Sequence, residues 1–96
     1  MDEQVAGIIA SSSPASIVTG ELIVLKNVIK RHAARGESAR LVRLVNAELG
    51  ALCGTAHTGN LEKMRAFFAR MVELVKRGEL ATLEYEVKNV RIIGFV

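Results

Sequence analysis

Apolar residues recur every three or four positions over most of this chain, and near its end the rhythm changes. Val18, Leu22, Leu25, Ile29 and Ala33 share one face of a helix predicted over residues 14–35. Ser13 followed by Pro14 suits a helix start, with serine as the cap and proline in the first turn. Gly20 weakens the early part of this helix. Gly36 is a natural stop, and Lys30, Arg31 and Arg35 suit the negative end of the helix dipole. A second helix is predicted from Glu37 or Ser38, with Leu41, Val45, Leu49 and Leu52 as its apolar stripe and Arg40 and Arg43 turned away. Gly50 and Gly54 blur its end, and residues 54–59 form a loop of small, aperiodic residues. Asn60 caps a third helix over residues 60–77. Leu61, Met64, Phe68, Met71 and Val75 line one side of it, and Phe67, Val72 and Leu74 widen that side. Gly78 ends it.

Beyond Gly78 the pattern alternates. Leu83, Tyr85 and Val87 are apolar at odd positions, then Val90 and Ile92 at even ones. One long strand would place the two sets on opposite faces. A two-residue turn at Lys88-Asn89 restores a single face, with Val87 opposite Val90, Tyr85 opposite Ile92 and Leu83 opposite Gly94. Glu86 then meets Arg91 on the other side as an opposite-charge pair. The hairpin is preferred to the single strand. The predicted fold class is α+β: a three-helix core followed by a C-terminal β-hairpin. Residues 1–13 form an N-terminal arm, as a short helix or without order, and residues 14–96 form one domain.

Composition narrows the function classes. Ninety-six residues suffice for one domain, and half of them are hydrophobic, which argues for a packed core. Mean hydropathy of +0.28 leaves apolar area for an interface, so a homodimer is expected. The net charge of +3 tolerates a polyanion partner without demanding one. Arginine outnumbers lysine eight to five, which suits forked contacts to phosphate. A single cysteine, Cys53, excludes an intramolecular disulfide and fits a reducing, cytoplasmic setting. The longest uncharged run, residues 4–20, is too polar and broken to span a bilayer, so no membrane role is expected.

Catalytic chemistry finds little footing. One cysteine and two histidines, His32 and His57, fall short of a structural zinc set. Gly54 and Gly59 have the spacing of a phosphate-binding loop, but Asn60-Leu61 stand where lysine and serine or threonine are needed. Cys53 and His57, four apart, have no third group to activate them as a nucleophilic pair. No enzyme activity and no cofactor are expected. The basic residues remain. Lys63, Arg70 and Arg77 repeat every seven residues on the third helix, opposite its apolar stripe, with Arg65 nearer the edge. Glu62 and Glu73 dilute that row.

Two runs carry a resemblance. One is Arg40-Leu41-Val42-Arg43-Leu44-Val45-Asn46-Ala47-Glu48-Leu49-Gly50, similar to a positioning helix that ends at a glycine turn. The other covers residues 67–80 and closes with Leu74-Val75-Lys76-Arg77-Gly78-Glu79-Leu80, similar to a recognition helix leading into a first wing strand. Over residues 38–96 the chain resembles a winged helix-turn-helix domain. The resemblance implies a transcriptional regulator that binds double-stranded DNA. It would place Asn60, Lys63 and Arg70 at the groove with Arg65 beside them, and Lys88, Asn89 and Arg91 at the wing tip. The stretch from Gly50 to Asn60 is longer than the usual turn, and Glu84 and Glu86 would repel phosphate. The alternative is a non-enzymatic interaction or assembly subunit. It would oligomerise through the apolar C-terminal hairpin and its Ile92-Ile93-Gly94-Phe95-Val96 end.

Overall fold

A computed structural model describes residues 13–93, and among the described residues every regular element is helical. Four helices, α1 (Pro14–His32), α2 (Arg35–Cys53), α3 (Leu61–Lys76) and α4 (Leu80–Lys88), are followed by a single turn, α5 (Val90–Ile93). The expected N-terminal arm, apart from Ser13, and the last three residues lie outside the described residues.

The start of α1 forms as its sequence dictates. The Ser13 hydroxyl accepts a hydrogen bond from the Ser16 N–H at 3.1 Å, and Pro14 occupies the first turn. Its end differs from expectation. Ala33 turns extended while its own N–H still donates to the Ile29 carbonyl, and only Ala33 and Ala34 separate α1 from α2. Gly36 therefore sits in the first turn of α2 instead of stopping α1. The short link folds α1 and α2 into an antiparallel helical hairpin, and Lys26 Nζ donates across it to Asn46 Oδ1 at 3.0 Å.

Each helix packs on two neighbours, in the cyclic order α1, α2, α4, α3. The core is the set of stripes facing the middle of that ring. Val18, Leu22, Leu25 and Ile29 come from α1, and Leu41, Val45 and Leu49 from α2. Helix α3 contributes Met64, Phe67, Phe68, Met71, Leu74 and Val75, with the two phenyl rings edge to face at 6.1 Å. Burying one such aliphatic side chain is worth about 1.5–3 kcal/mol. Gly78 stops α3 with φ +75°, and the N–H groups of Gly78 and Glu79 return to the carbonyls of Val75 and Leu74.

The α+β assignment is corrected here. Residues 80–93, expected as a β-hairpin wing, are helical, and a winged helix-turn-helix with no strand among its described residues is not supported. Leu83 and Val87 are fully buried and Val90 nearly so, while Tyr85 is 67% exposed. With half-buried Leu80, these residues recur at intervals of three, four and three, which is a helical period. The alternation holds only if Tyr85 counts as a core residue. At Lys88-Asn89, expected as the turn of the hairpin, Lys88 ends α4 and Asn89 alone separates it from α5, its side-chain Nδ2 donating to the Tyr85 carbonyl at 2.7 Å. The expected Glu86–Arg91 pair is replaced by two tertiary contacts, Glu86 with Arg70 and Arg91 with Glu48.

Candidate nucleic-acid interface

The residues singled out for DNA contact occupy varied surroundings. Asn60 is buried, at 3% exposure, immediately before α3. Its side chain makes no capping bond to the helix. It turns back into the loop, where Oδ1 accepts from the His57 N–H at 2.8 Å and Nδ2 donates to the Thr55 carbonyl at 3.2 Å. That assigns Asn60 to holding the loop. The same loop uses His57 Nδ1 as acceptor for the Gly59 N–H, and a Cβ on Gly59 would come within 2.9 Å of the imidazole.

Arg70 is exposed and holds Glu86 of α4 through two hydrogen bonds, at 2.9 and 2.6 Å. Arg65 lies near Glu21 and Glu62, Lys88 pairs with Glu84 at 2.7 Å, and Arg91 pairs with Glu48. Lys63 is exposed and has no carboxylate within 4.0 Å among the described residues. Asn89 is half-buried at the α4–α5 break. The structure thus ties Arg70 to α4 and Arg91 to α2, and it does not gather the seven residues into one open cationic face.

This pairing is general. Every described glutamate, that is Glu21, Glu37, Glu48, Glu62, Glu73, Glu79, Glu84 and Glu86, lies within 4.0 Å of an arginine or lysine nitrogen. Hydrogen bonds from Lys88 and Arg40 hold the Glu84 carboxyl below its ordinary value, and those from Arg70 do the same for Glu86. The cations involved are Arg40, Arg65, Arg70, Arg77, Lys88 and Arg91.

The remaining cations are concentrated elsewhere. Seven cations have no carboxylate within 4.0 Å among the described residues: Lys26, Lys30, Arg31, Arg35 and Arg43 of α1 and α2, and Lys63 and Lys76 of α3. All but half-buried Lys26 are exposed. Within residues 26–43 the one carboxylate is Glu37, which Arg40 engages. This stretch alone therefore exceeds the +3 net charge of the whole chain. The two-residue link between the helices brings Lys30 and Arg31, at the end of α1, beside Arg35, at the start of α2. The register set by Lys26 and Asn46 carries Lys30, one turn on, level with Val42 and Arg43. No side chain caps the first turn of α2. Arg35 opposes the dipole at this end of the helix, while Glu37 in the same turn favours it and is itself engaged by Arg40. Sequence reasoning used Lys30, Arg31 and Arg35 only as helix-end residues. The available signal was local charge density, six cations against one acid in eighteen residues.

The described residues hold no group of three or more potential metal ligands. Cys53 is buried in the core, and its desolvation raises the thiol pKa, so it has the environment of a packed side chain. Among the described residues no helix is long and apolar enough to cross a membrane. No protein-family model matches the chain, and no match is found among curated proteins or solved structures.

Proposed function

We propose that this domain is a non-enzymatic DNA-binding module that grips duplex phosphates with the corner formed by the end of α1 and the first half of α2. The observation that carries this reading is the segregation of charge. The described carboxylates are taken up by cations of α3, α4 and α5 and by Arg40, which leaves Lys30, Arg31, Arg35 and Arg43 clustered at the corner, exposed and without a carboxylate within 4.0 Å among the described residues, whereas Lys63 and Lys76 are the two such cations of α3. Like charges held together by the fold repel one another, and a polyanion removes that repulsion while releasing its own counterions. The forked guanidinium groups of Arg31, Arg35 and Arg43 suit phosphate oxygens.

Fluorescence anisotropy of a labelled duplex, titrated with the full chain at several salt concentrations, tests the proposal. Binding at low salt with an affinity that falls steeply, by about 0.9 in log K per log salt for each phosphate contacted, is expected. No binding to any duplex at low salt, or binding to anionic vesicles alone, would overturn it.

A further inference from the structure

Helix α1 packs on α2 and α3 and lies across the ring from α4, so one long side of it packs on no other helix among the described residues. That side carries Gly20, Ile23, Val24, Asn27, Lys30 and Arg31, all exposed. Their spacing places them opposite the buried Val18, Leu22, Leu25 and Ile29. Three choices on this strip run against what a merely wet helix face prefers. Ile23 and Val24 are each 51% exposed, and both are β-branched. Gly20 lowers helix propensity, yet a Cβ built there would meet nothing within 4 Å, so packing inside the protein does not require a glycine. The strip has no carboxylate: the one acid of α1, Glu21, lies on the α3 side, near Arg65.

Taken alone, the strip is narrow for a protein partner, which would have to extend well beyond it. From Gly20 to Arg31 a helix rises about 17 Å, and at about 10 Å wide it presents well under the ~800 Å² per side that a standard interface takes. The same dimensions suit a DNA major groove, which is about 12 Å wide and admits one α-helix. The residue types fit base edges as well. Asn27 can donate to and accept from adenine, Ile23 and Val24 can meet thymine methyl groups, and Lys30 can reach guanine. Gly20 allows the backbone to come close.

Resting on the DNA-binding reading, we infer that α1 is a sequence-reading helix, with Asn27 and Ile23 at base edges and Gly20 at the closest approach, while Arg31, Arg35 and Arg43 hold the flanking phosphates. Selection of bound duplexes from a randomised library with the full chain tests it. An enriched motif containing adenine and thymine is expected. Asn27→Ala should lose about tenfold or more of the preference for the adenine position, with binding to unrelated duplex and its salt slope unchanged. Gly20→Ala should raise Tm by about 4 °C and yet weaken binding to the selected site. Duplex binding with no enriched motif, or a motif that survives Asn27→Ala, would overturn this inference and leave the phosphate-binding proposal standing. Failure to bind any duplex would remove both. Tighter binding by Gly20→Ala would also count against the close approach.

Discussion

The α1–α2 corner and the α3–α4 side of the bundle are both rich in arginine and lysine, but the two surfaces use them differently. On the α3–α4 side Arg70 clasps Glu86, Arg77 lies near Glu73 and Glu79, and Lys88 holds Glu84. Those cations connect or decorate helices, and their charge is largely cancelled where they stand, whereas Lys63 and Lys76 of α3 have no carboxylate within 4.0 Å among the described residues. At the α1–α2 corner Lys30, Arg31, Arg35 and Arg43 have no such neighbours among the described residues. A row of basic residues on a helix is therefore not a polyanion site until the carboxylates of the packed neighbours are known. Exposed ion pairs add little to stability in any case, so the α3–α4 pairs matter more for cancelling charge than for holding the fold.

The strongest way to break this comparison is to delete the two sets separately. Lys30→Ala, Arg31→Ala, Arg35→Ala and Arg43→Ala together should reduce the salt slope of duplex binding by about 3 to 4. Arg65→Ala, Arg70→Ala and Arg77→Ala together should leave that slope nearly unchanged. Anisotropy titrations of both variants decide the matter, and equal losses would erase the distinction between the surfaces.

A second test concerns α4, the helix that supplies the Glu84 and Glu86 carboxylates. Leu83 is fully buried in α4 and Tyr85 is mostly exposed. Leu83→Ala should cost about 2–5 kcal/mol in denaturant unfolding, whereas Tyr85→Ser should change stability by less than about 0.5 kcal/mol. In the hairpin alternative both would be core residues and both substitutions would be costly. Far-UV circular dichroism with a strand signature would also contradict α4.

The smallest expected effect is on pH dependence. Glu84 and Glu86 are held below the ordinary carboxyl value of 4.5, because cations hydrogen-bond their ionised forms. Each contributes stability that is complete above the unfolded pKa and is lost as pH falls through the lower folded value. Replacing both by glutamine should therefore flatten the decline in Tm as pH drops below about 4.5. An unchanged acid profile would mean that these pairs contribute nothing to folding.

The three longer helices were legible in the chain. Val18, Leu22, Leu25 and Ile29, then Leu41, Val45 and Leu49, then Met64, Phe68, Met71 and Val75 repeat at the helical period, and all are buried. Ser13 and Gly78 marked a start and a stop through local backbone chemistry that needs no distant partner. Residues 80–93 were ambiguous, because Leu83, Tyr85 and Val87 satisfy a period of two while Leu80, Leu83, Val87 and Val90 satisfy a helical one. Packing of Leu83 and Val87 into the ring of helices resolved it, since burial favours the face that meets the core whatever the local alternation.

Local chemistry, then, determined the helical stripes, the serine cap and the glycine stop, because each depends on residues within a few positions of one another. The functional surface was decided by tertiary structure. Whether a cation is available depends on which carboxylate lies within about 4 Å of it. Some partners are close in sequence, as with Arg77 and Glu73 or Lys88 and Glu84, but others lie well apart along the chain, as with Arg40 and Glu84, Arg70 and Glu86, and Glu48 and Arg91. The packed bundle brings these distant partners together, and it leaves Lys30, Arg31, Arg35 and Arg43 with no carboxylate within 4.0 Å among the described residues.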